Sequence, residues 1–420
     1  MHQMNRTVRL PETGVSPEAL DAQLAALQAG DADWRGGQVP LYVFLGSQAA
    51  ADAGRSAFNR FFSENALGAA RAFPSLRRLE DEVVAIGLDL MGAPQQATGH
   101  MTSGGSESIF LAVRAARGAA RARRGRRPGN LVLPVSAHPA FAKAADAMDL
   151  EERRIPVGRD WRSDVAAMRA AVDDDTVMLV GSVPCFPFGV IDRIDELGEL
   201  ALERGTWLHV DACVGGYLAP FVRELGVPLP AWDFAVPGVS SISADLHKFG
   251  FCPKPASTVF YRSAELARFG VFDLDVWPSG RFTTATLVGT RPGGAVAGAW
   301  ATLHALGRSG YRDIARAMLQ MRDAYRDDLA ARAGWRVLGE PHLTLMAFVH
   351  DHADVAQVAQ GMTARGWVPG RLREPPGLHL MLSILHAPAR ERYVADLALA
   401  TQEALAAPAA AAVAAAEVRY

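Results

Sequence analysis

Ser243-Ala244-Asp245-Leu246-His247-Lys248, taken with His209-Val210-Asp211-Ala212-Cys213 upstream, is the stretch from which the fold can be read. A lysine follows a histidine at the end of a short polar segment, and an aspartate closes a short apolar run, 206–210. A lysine amine can form a Schiff base with an aldehyde cofactor. An acidic residue can hold a pyridinium nitrogen protonated, so that the ring accepts electrons from a substrate carbanion. The pair is what a pyridoxal phosphate (PLP) enzyme needs, with Lys248 as the Schiff-base residue and Asp211 as the ring-nitrogen partner. Taken singly, each has a plainer explanation: an Asp at a strand end commonly caps a turn, and a His-Lys pair is commonly solvated surface. The apolar run before Asp211 reads as a buried strand. That puts the carboxylate at a strand's C-terminal end, where open α/β sheets bind ligands.

Outward from this stretch, between residues 99 and about 270, short apolar runs alternate with helical patterns. Strands are expected over 131–135, 153–157, 177–182, 207–210, 240–243 and 257–261, and helices over 106–120, 140–148, 161–172 and 194–203. Such alternation predicts an α/β domain with a mostly parallel sheet covered on both faces. Upstream, Ser16-Pro17-Glu18 starts a helix to residue 28, with Ser as cap and Pro in the first turn. Residues 31–75 are rich in Gly, aromatics and turn formers and read as an extended arm. A long helix follows over 74–91, with Leu79, Val83, Ile86 and Leu90 along one face. Downstream, helices over 295–306 and 311–331 and strands over 344–349 and 379–384 predict a separate α+β domain. The Ala-rich segment 406–416 extends the last helix or frays. The expected organisation is an N-terminal helix and arm (1–75), a large cofactor domain (76–294) and a small C-terminal domain (295–420).

Composition excludes several classes. The 420 residues suffice for two or three domains; half are hydrophobic and 21% charged, as in an ordinary globular protein. A formal net charge of -2 gives no reason to expect a nucleic-acid or anionic-membrane partner. The basic run 121–127 follows an amphipathic helix and reads as a solvated helix end. Three separated cysteines, Cys185, Cys213 and Cys252, make neither a disulfide framework nor a metal site, and fit a reducing, cytoplasmic compartment. No stretch is apolar for about 20 residues, so no membrane span is expected.

Further motifs supply the remaining parts of a site. Thr102-Ser103-Gly104-Gly105-Ser106-Glu107-Ser108 precedes an apolar helical run, and small residues at a helix start leave free N–H groups and the positive dipole end for an anion. A cofactor phosphate is the expected occupant, and an ordinary Ser-capped helix is the alternative. His138, just past the 131–135 strand, can stack on a flat cofactor or simply start a helix. Pro184-Cys185-Phe186-Pro187-Phe188-Gly189 makes a rigid turn above the sheet. Gly289-Thr290-Arg291-Pro292-Gly293-Gly294 offers N–H groups, a hydroxyl and a guanidinium, or serves as a hinge. Lys254, six residues past Lys248 in a Pro-flanked loop, can reach the same pocket or stay on the surface.

These motifs resemble those of the fold-type I PLP enzymes of the group II decarboxylase superfamily, and most closely its sphingosine-1-phosphate lyase branch. The resemblance spans residues 37–390 and includes Val190-Ile191-Asp192, Gly366-Trp367 and Pro375-Pro376-Gly377-Leu378-His379. It implies a PLP-dependent transferase-like large domain with a mostly parallel seven-stranded sheet, a smaller α+β domain and an N-terminal arm. It implies that Lys248 carries the cofactor, that Asp211 pairs with the ring nitrogen and that His138 stacks on the ring. Gly104, Gly105, Ser106 and His247 would hold the cofactor phosphate, with Thr290 reaching it from a neighbouring subunit in an obligate homodimer. Lys254 would assist acid-base steps, no metal is required, and the substrate is a small-molecule amine. The implied reaction is carbon-carbon cleavage of a β-hydroxy amine; amino-acid decarboxylation is the alternative. Several positions depart from the family pattern, among them Leu246 and Pro255, where Thr and Gly are usual. Phe44 stands where a Tyr is expected, with Tyr42 two residues away. Asn65-Ala66-Leu67-Gly68 replaces Asn-Pro-Leu-His.

Overall fold

The computed structural model describes residues 7–407; beyond residue 407 the Ala-rich tail lies outside the described residues. Three helices come first, α1 (Pro17–Gln28), α2 (Gln48–Arg60) and α3 (Pro74–Leu90). The large sheet follows as β1 (Thr98–Thr102), β2 (Gly129–Pro134), β3 (Leu150–Ile155), β4 (Thr176–Ser182), β5 (Trp207–Asp211), β6 (Val239–Ala244) and β7 (Ser257–Tyr261). Between and after these strands lie α4 (Gly105–Arg124), α5 (Ala140–Met148), α6 (Val165–Ala171), α7 (Ile194–Arg204), α8 (Ala219–Glu224) and α9 (Ala264–Ala267).

The strands order as β1-β7-β6-β5-β4-β2-β3. Those from β3 to β6 run parallel, while β7 is antiparallel to both β6 and β1. This is the expected α/β fold with a mostly parallel seven-stranded sheet. Burial on both faces explains the unbroken apolar runs. Along β2, Leu131 and Leu133 pack toward α4 and α5 while Val132 faces the other core; in β4, Met178 and Val180 oppose Leu179 in the same way. The chain leaves β2 toward β3, then crosses back to β4 on the other side. The strand order therefore reverses between β2 and β4, and a crevice opens beyond their C-terminal ends.

Several elements differ from expectation. The segment 31–75 is not extended throughout, because it contains α2. Ser47 Oγ accepts the Ala50 N–H at 3.1 Å to cap it, and the helix lies close against its neighbour: a Cβ on Gly54 would stand 2.5 Å from Thr302 Oγ1. β1 was not expected, because Thr98-Gly99-His100-Met101-Thr102 is polar; its Gly99 lets the Phe260 ring approach closer than a Cβ would allow. β3 starts three residues early as a charged edge strand, with Arg154 pairing to Glu152 at 2.9 Å. α6 starts late, at the Asp164 cap, since Trp161 takes a left-handed φ of 65°.

A hairpin, β8 (Phe272–Leu274) and β9 (Phe282–Thr284), leads to α10 (Gly293–Ala330), which kinks at Gly307. A four-stranded antiparallel sheet follows, from β10 (Trp335–Leu338), β11 (Leu345–His350), β12 (Gly370–Leu372) and β13 (Gly377–Met381), with α11 (Val355–Ala364) and α12 (Arg390–Ala406). Among the described residues, no helix is long and apolar enough to cross a membrane.

Candidate active site

A cavity of about 370 Å³ lies in the crevice beyond the strand ends. β5 delivers Asp211 to it, and β6 runs into the turn carrying Asp245, His247 and Lys248. Residues after β2 deliver His138, and the first turn of α4 delivers Gly104, Gly105 and Ser106. All of these line the one cavity, with Ser182, Phe186 and Cys213. Seven of the expected site residues thus come together from four separate chain segments.

Lys248 Nζ stands 3.1 Å from Asp245 Oδ2, and His247 Nε2 is 3.7 Å from the same oxygen. Burial by itself lowers the lysine amine's pKa, but Asp245, then Cys213 and Asp211, outweigh it and the net direction is up. Burial likewise pushes the Asp245 carboxyl up, and Lys248 and His247 more than offset it. An ammonium paired to a carboxylate is placed but not yet nucleophilic; it must lose a proton before its nitrogen can attack an aldehyde. Asp245 is the residue that sequence reasoning left without a role. Its only signal was the three-residue spacing to Lys248, which the turn after β6 closes.

Asp211 is buried, and its Oδ1 accepts the Cys213 N–H at 3.1 Å and the Ser243 hydroxyl at 3.4 Å. His138 Nδ1 accepts the Ala140 N–H at 3.1 Å, and burial lowers the ring's pKa, so the imidazole is neutral with its proton on Nε2. His247 Nδ1 accepts the Ala256 N–H at 3.2 Å, which aims Nε2 at Asp245.

α4 has no side-chain cap, so its first N–H groups face the cavity unspent. Glu107, in its first turn, binds two loops at once. Its Oε2 accepts the Ser103 N–H and hydroxyl, each at 2.7 Å, and its Oε1 accepts the N–H groups of Leu287 at 2.8 Å and Val288 at 3.2 Å. An acid near a helix start reads in sequence as a dipole partner, so this tie carried no distinguishing signal.

Two expected residues do not line the cavity. Lys254 is exposed, its Nζ donating to the Tyr42 carbonyl at 2.6 Å. Thr290 is exposed and accepts from Asn65 Nδ2 at 3.3 Å. Phe44 packs edge-on against Phe249, ring centroids 5.1 Å apart.

The pyridoxal-dependent decarboxylase conserved domain matches residues 65–350. A sphingosine-1-phosphate lyase from Oryza sativa subsp. japonica is 36% identical over 395 residues, 92% of this chain and 73% of that protein. The chain belongs to the sphingosine-1-phosphate lyase family. A solved sphingosine-1-phosphate lyase structure from Burkholderia pseudomallei K96243 superposes with a TM-score of 0.91 at 36% identity, covering 95% of this chain and 93% of that one. A probable L-tyrosine/L-aspartate decarboxylase from Methanothermobacter thermautotrophicus is 34% identical over 321 residues, 76% of this chain and 86% of that protein. As a member of the sphingosine-1-phosphate lyase family and of the wider pyridoxal-dependent group, the protein is a PLP-dependent lyase.

The cavity fits the lyase family's cofactor. A Cβ on Gly105 would come within 2.7 Å of Cys213 Sγ and 3.0 Å of both Asp245 oxygens, so only glycine lets the start of α4 approach the floor. Ser182 Oγ is buried at the cavity with no protein partner, a hydroxyl left for a bound polar group.

Proposed function

We propose that the protein cleaves the Cα–Cβ bond of a sphingosine-1-phosphate-like β-hydroxy amine, giving an aldehyde and phosphoethanolamine. The observation that carries this reading is the convergence of Lys248, Asp211, His138 and the start of α4 on one cavity, in a chain 36% identical to lyases of that name. When bound, PLP supplies an aldehyde for the amine and a ring that accepts the electron pair of the broken bond.

The rest is the work of the chain's own residues. Lys248 would hold the cofactor, and Asp245, 3.1 Å from its amine, would take up the proton that the amine loses on binding and return it when the amine is set free. Asp211 keeps the ring nitrogen protonated, as fixed charge aimed where electron density develops. Neutral His138 covers a ring face without adding positive charge. Gly104, Gly105, Ser106 and His247 hold the phosphate. In the retro-aldol step the β-hydroxyl proton is removed, its O–H electron pair becomes the aldehyde C=O, and the Cα–Cβ pair leaves with Cα, which is then reprotonated. Lys254, at the rim, assists these proton transfers.

The protein works as a homodimer with shared sites, in which Thr290 of one copy reaches the phosphate held by the other; its exposure outside its own chain's cavity supports this. Residues 76–294 form the cofactor domain, 295–420 the small domain and 1–75 the arm. Three free, buried cysteines support a cytoplasmic location.

The test is product analysis. The holoprotein is incubated with sphingosine-1-phosphate, β-hydroxy amino acids and plain amino acids, and aldehydes and CO2 are trapped. Long-chain aldehyde without CO2 is expected; CO2 from plain amino acids with no aldehyde would replace this reading by decarboxylation.

A further inference from the structure

Beneath Asp211 lies a row of polar side chains that the reaction described above does not use. β5 and β6 are parallel neighbours with His209 opposite Ser241 and Asp211 opposite Ser243. The period-two pleat therefore puts Trp207, His209 and Asp211 on one face beside Ser241 and Ser243. All are buried.

Their bonds form a continuous path. Trp207 Nε1 lies 2.7 Å from Ser241 Oγ, Ser241 Oγ lies 2.8 Å from His209 Nδ1, and His209 Nε2 lies 3.2 Å from Ser243 Oγ. Ser243 Oγ then reaches Asp211 Oδ1 at 3.4 Å, the longest link. Indole N–H can only donate and an ionised carboxylate can only accept. The path thus begins on an obligate donor and ends on an obligate acceptor. Ser241, receiving the indole proton, has its own O–H free for His209 Nδ1. Nδ1 is then an acceptor, so the ring proton sits on Nε2 and points at Ser243. Cys213 Sγ also donates to Ser243 Oγ, at 3.3 Å. With two donors arriving, the Ser243 proton has Asp211 Oδ1 as its outlet.

We propose that Trp207, Ser241, His209 and Ser243 form a one-way hydrogen-bond chain that delivers an O–H to Asp211 and fixes that carboxylate in place beneath the cofactor ring. His209 is its positioning residue, working as the neutral Nε2–H tautomer. Burial, which lowers the ring's pKa to about 4, agrees with the neutral form. The Phe141 ring packs edge-on to His209 at 5.9 Å and offers it no competing partner. The other charged and titratable groups facing Asp211 are Lys248, His138, Asp245 and Cys213, and of these Cys213 joins the path, as a second donor to Ser243.

The inference rests on Asp211 as the ring-nitrogen partner, so two measurements separate the ideas. The first is nitrogen NMR of the ¹⁵N-histidine-labelled holoprotein, with His209 assigned as the ring whose signals move in both Ser241→Ala and Ser243→Ala. A neutral ring protonated at Nε2 between pH 6 and 9 is expected. A ring protonated at Nδ1, or at both nitrogens, overturns the chain whatever Asp211 does. The second is cofactor affinity. Ser243→Ala should raise the PLP dissociation constant roughly 10-fold, the scale of one hydrogen bond to a charged group. Trp207→Phe should raise it less and leave His209 in mixed tautomers. An unchanged constant in a folded Ser243→Ala protein also overturns the proposal. If Asp211→Ala binds PLP as tightly as the parent, the role given to Asp211 fails, while the tautomer result still decides the direction of the chain.

Discussion

The floor of the cavity and its rim are built by different means. The floor is made of strand ends locked in register: Asp211, Ser243 and His209 are buried and joined to their neighbours by hydrogen bonds of 2.8–3.4 Å. The rim is made of loops. Tyr42 is 52% exposed with a left-handed φ of 61°, Lys254 donates to a backbone carbonyl, and Thr290 is exposed and outside the cavity lining. A rigid floor suits a cofactor that never changes; an open rim suits choice among substrates. Changes to the floor should therefore abolish cofactor chemistry or stability, and changes to the rim should alter only substrate turnover.

The largest effect is expected at Lys248. Lys248→Ala should lower turnover roughly 10³-fold or more and remove the visible absorbance of the bound cofactor, read directly by spectrophotometry. Asp211→Ala should follow, with a loss of about 10²- to 10³-fold. If either variant keeps both colour and rate, the floor is not where the chemistry happens.

Next comes the frame under the floor. Asp192 is fully buried, its Oδ1 accepting the Ser163 N–H at 2.7 Å and its Oδ2 the Ser182 N–H at 2.8 Å, which anchors the end of β4. Asp192→Asn turns one acceptor into a donor facing an N–H. A loss of about 2 kcal/mol in urea unfolding is expected, with the product unchanged. No loss would mean that β4 holds its end without this carboxylate.

Such differences also explain what was legible in advance. Asp211 and Lys248 were readable because each sits at the end of a local pattern, and the apolar runs of β4 and β5 report burial on both sides directly. β1 was not, because an outer strand beside β7 can be polar. α2 was hidden because its partner, α10, lies some 240 residues away and asks only for small residues at Gly54 and Gly298. Glu107 was invisible as a functional group, since Leu287 and Val288 become its neighbours only on folding, and Asp245 showed nothing beyond its spacing to Lys248. Lys254 and Thr290 were legible as motif members, yet neither lines the cavity, because motif membership does not encode where a loop settles on folding.

The buried histidines should also make stability respond to acid. Burial lowers the pKa of His100, His209, His342 and His379 from 6.5 to about 4 each. These are bases whose folded pKa is depressed, so the unfolded chain binds protons first. Stability is then lost as pH falls from about 6.5 toward 4, by up to about 1.4 kcal/mol per pH unit for each ring. Asp192, raised by burial to about 6, acts oppositely between 6 and 3.8, because there the folded state takes the proton. Four rings against one carboxyl leave a net loss. Urea midpoints should be lower at pH 5 than at pH 7.5, and equal midpoints would mean that the rings are not held neutral.

The smallest effects belong to the rim and test whether it chooses substrates at all. Tyr42→Phe keeps the carbonyl that receives Lys254 and removes only the phenol. If that phenol stands in for the Tyr expected at position 44, kcat/KM toward sphingosine-1-phosphate should fall by roughly 3- to 10-fold, the scale of one hydrogen bond, with the PLP dissociation constant unchanged. Phe44→Tyr supplies a hydroxyl at the family's position, next to Phe249 and hence one residue from Lys248. It should raise kcat/KM a few-fold and restore what Tyr42→Phe removes when the two are combined. If both variants instead shift cofactor affinity, the rim is part of the floor, and the division between fixed chemistry and adjustable substrate choice does not hold for this chain.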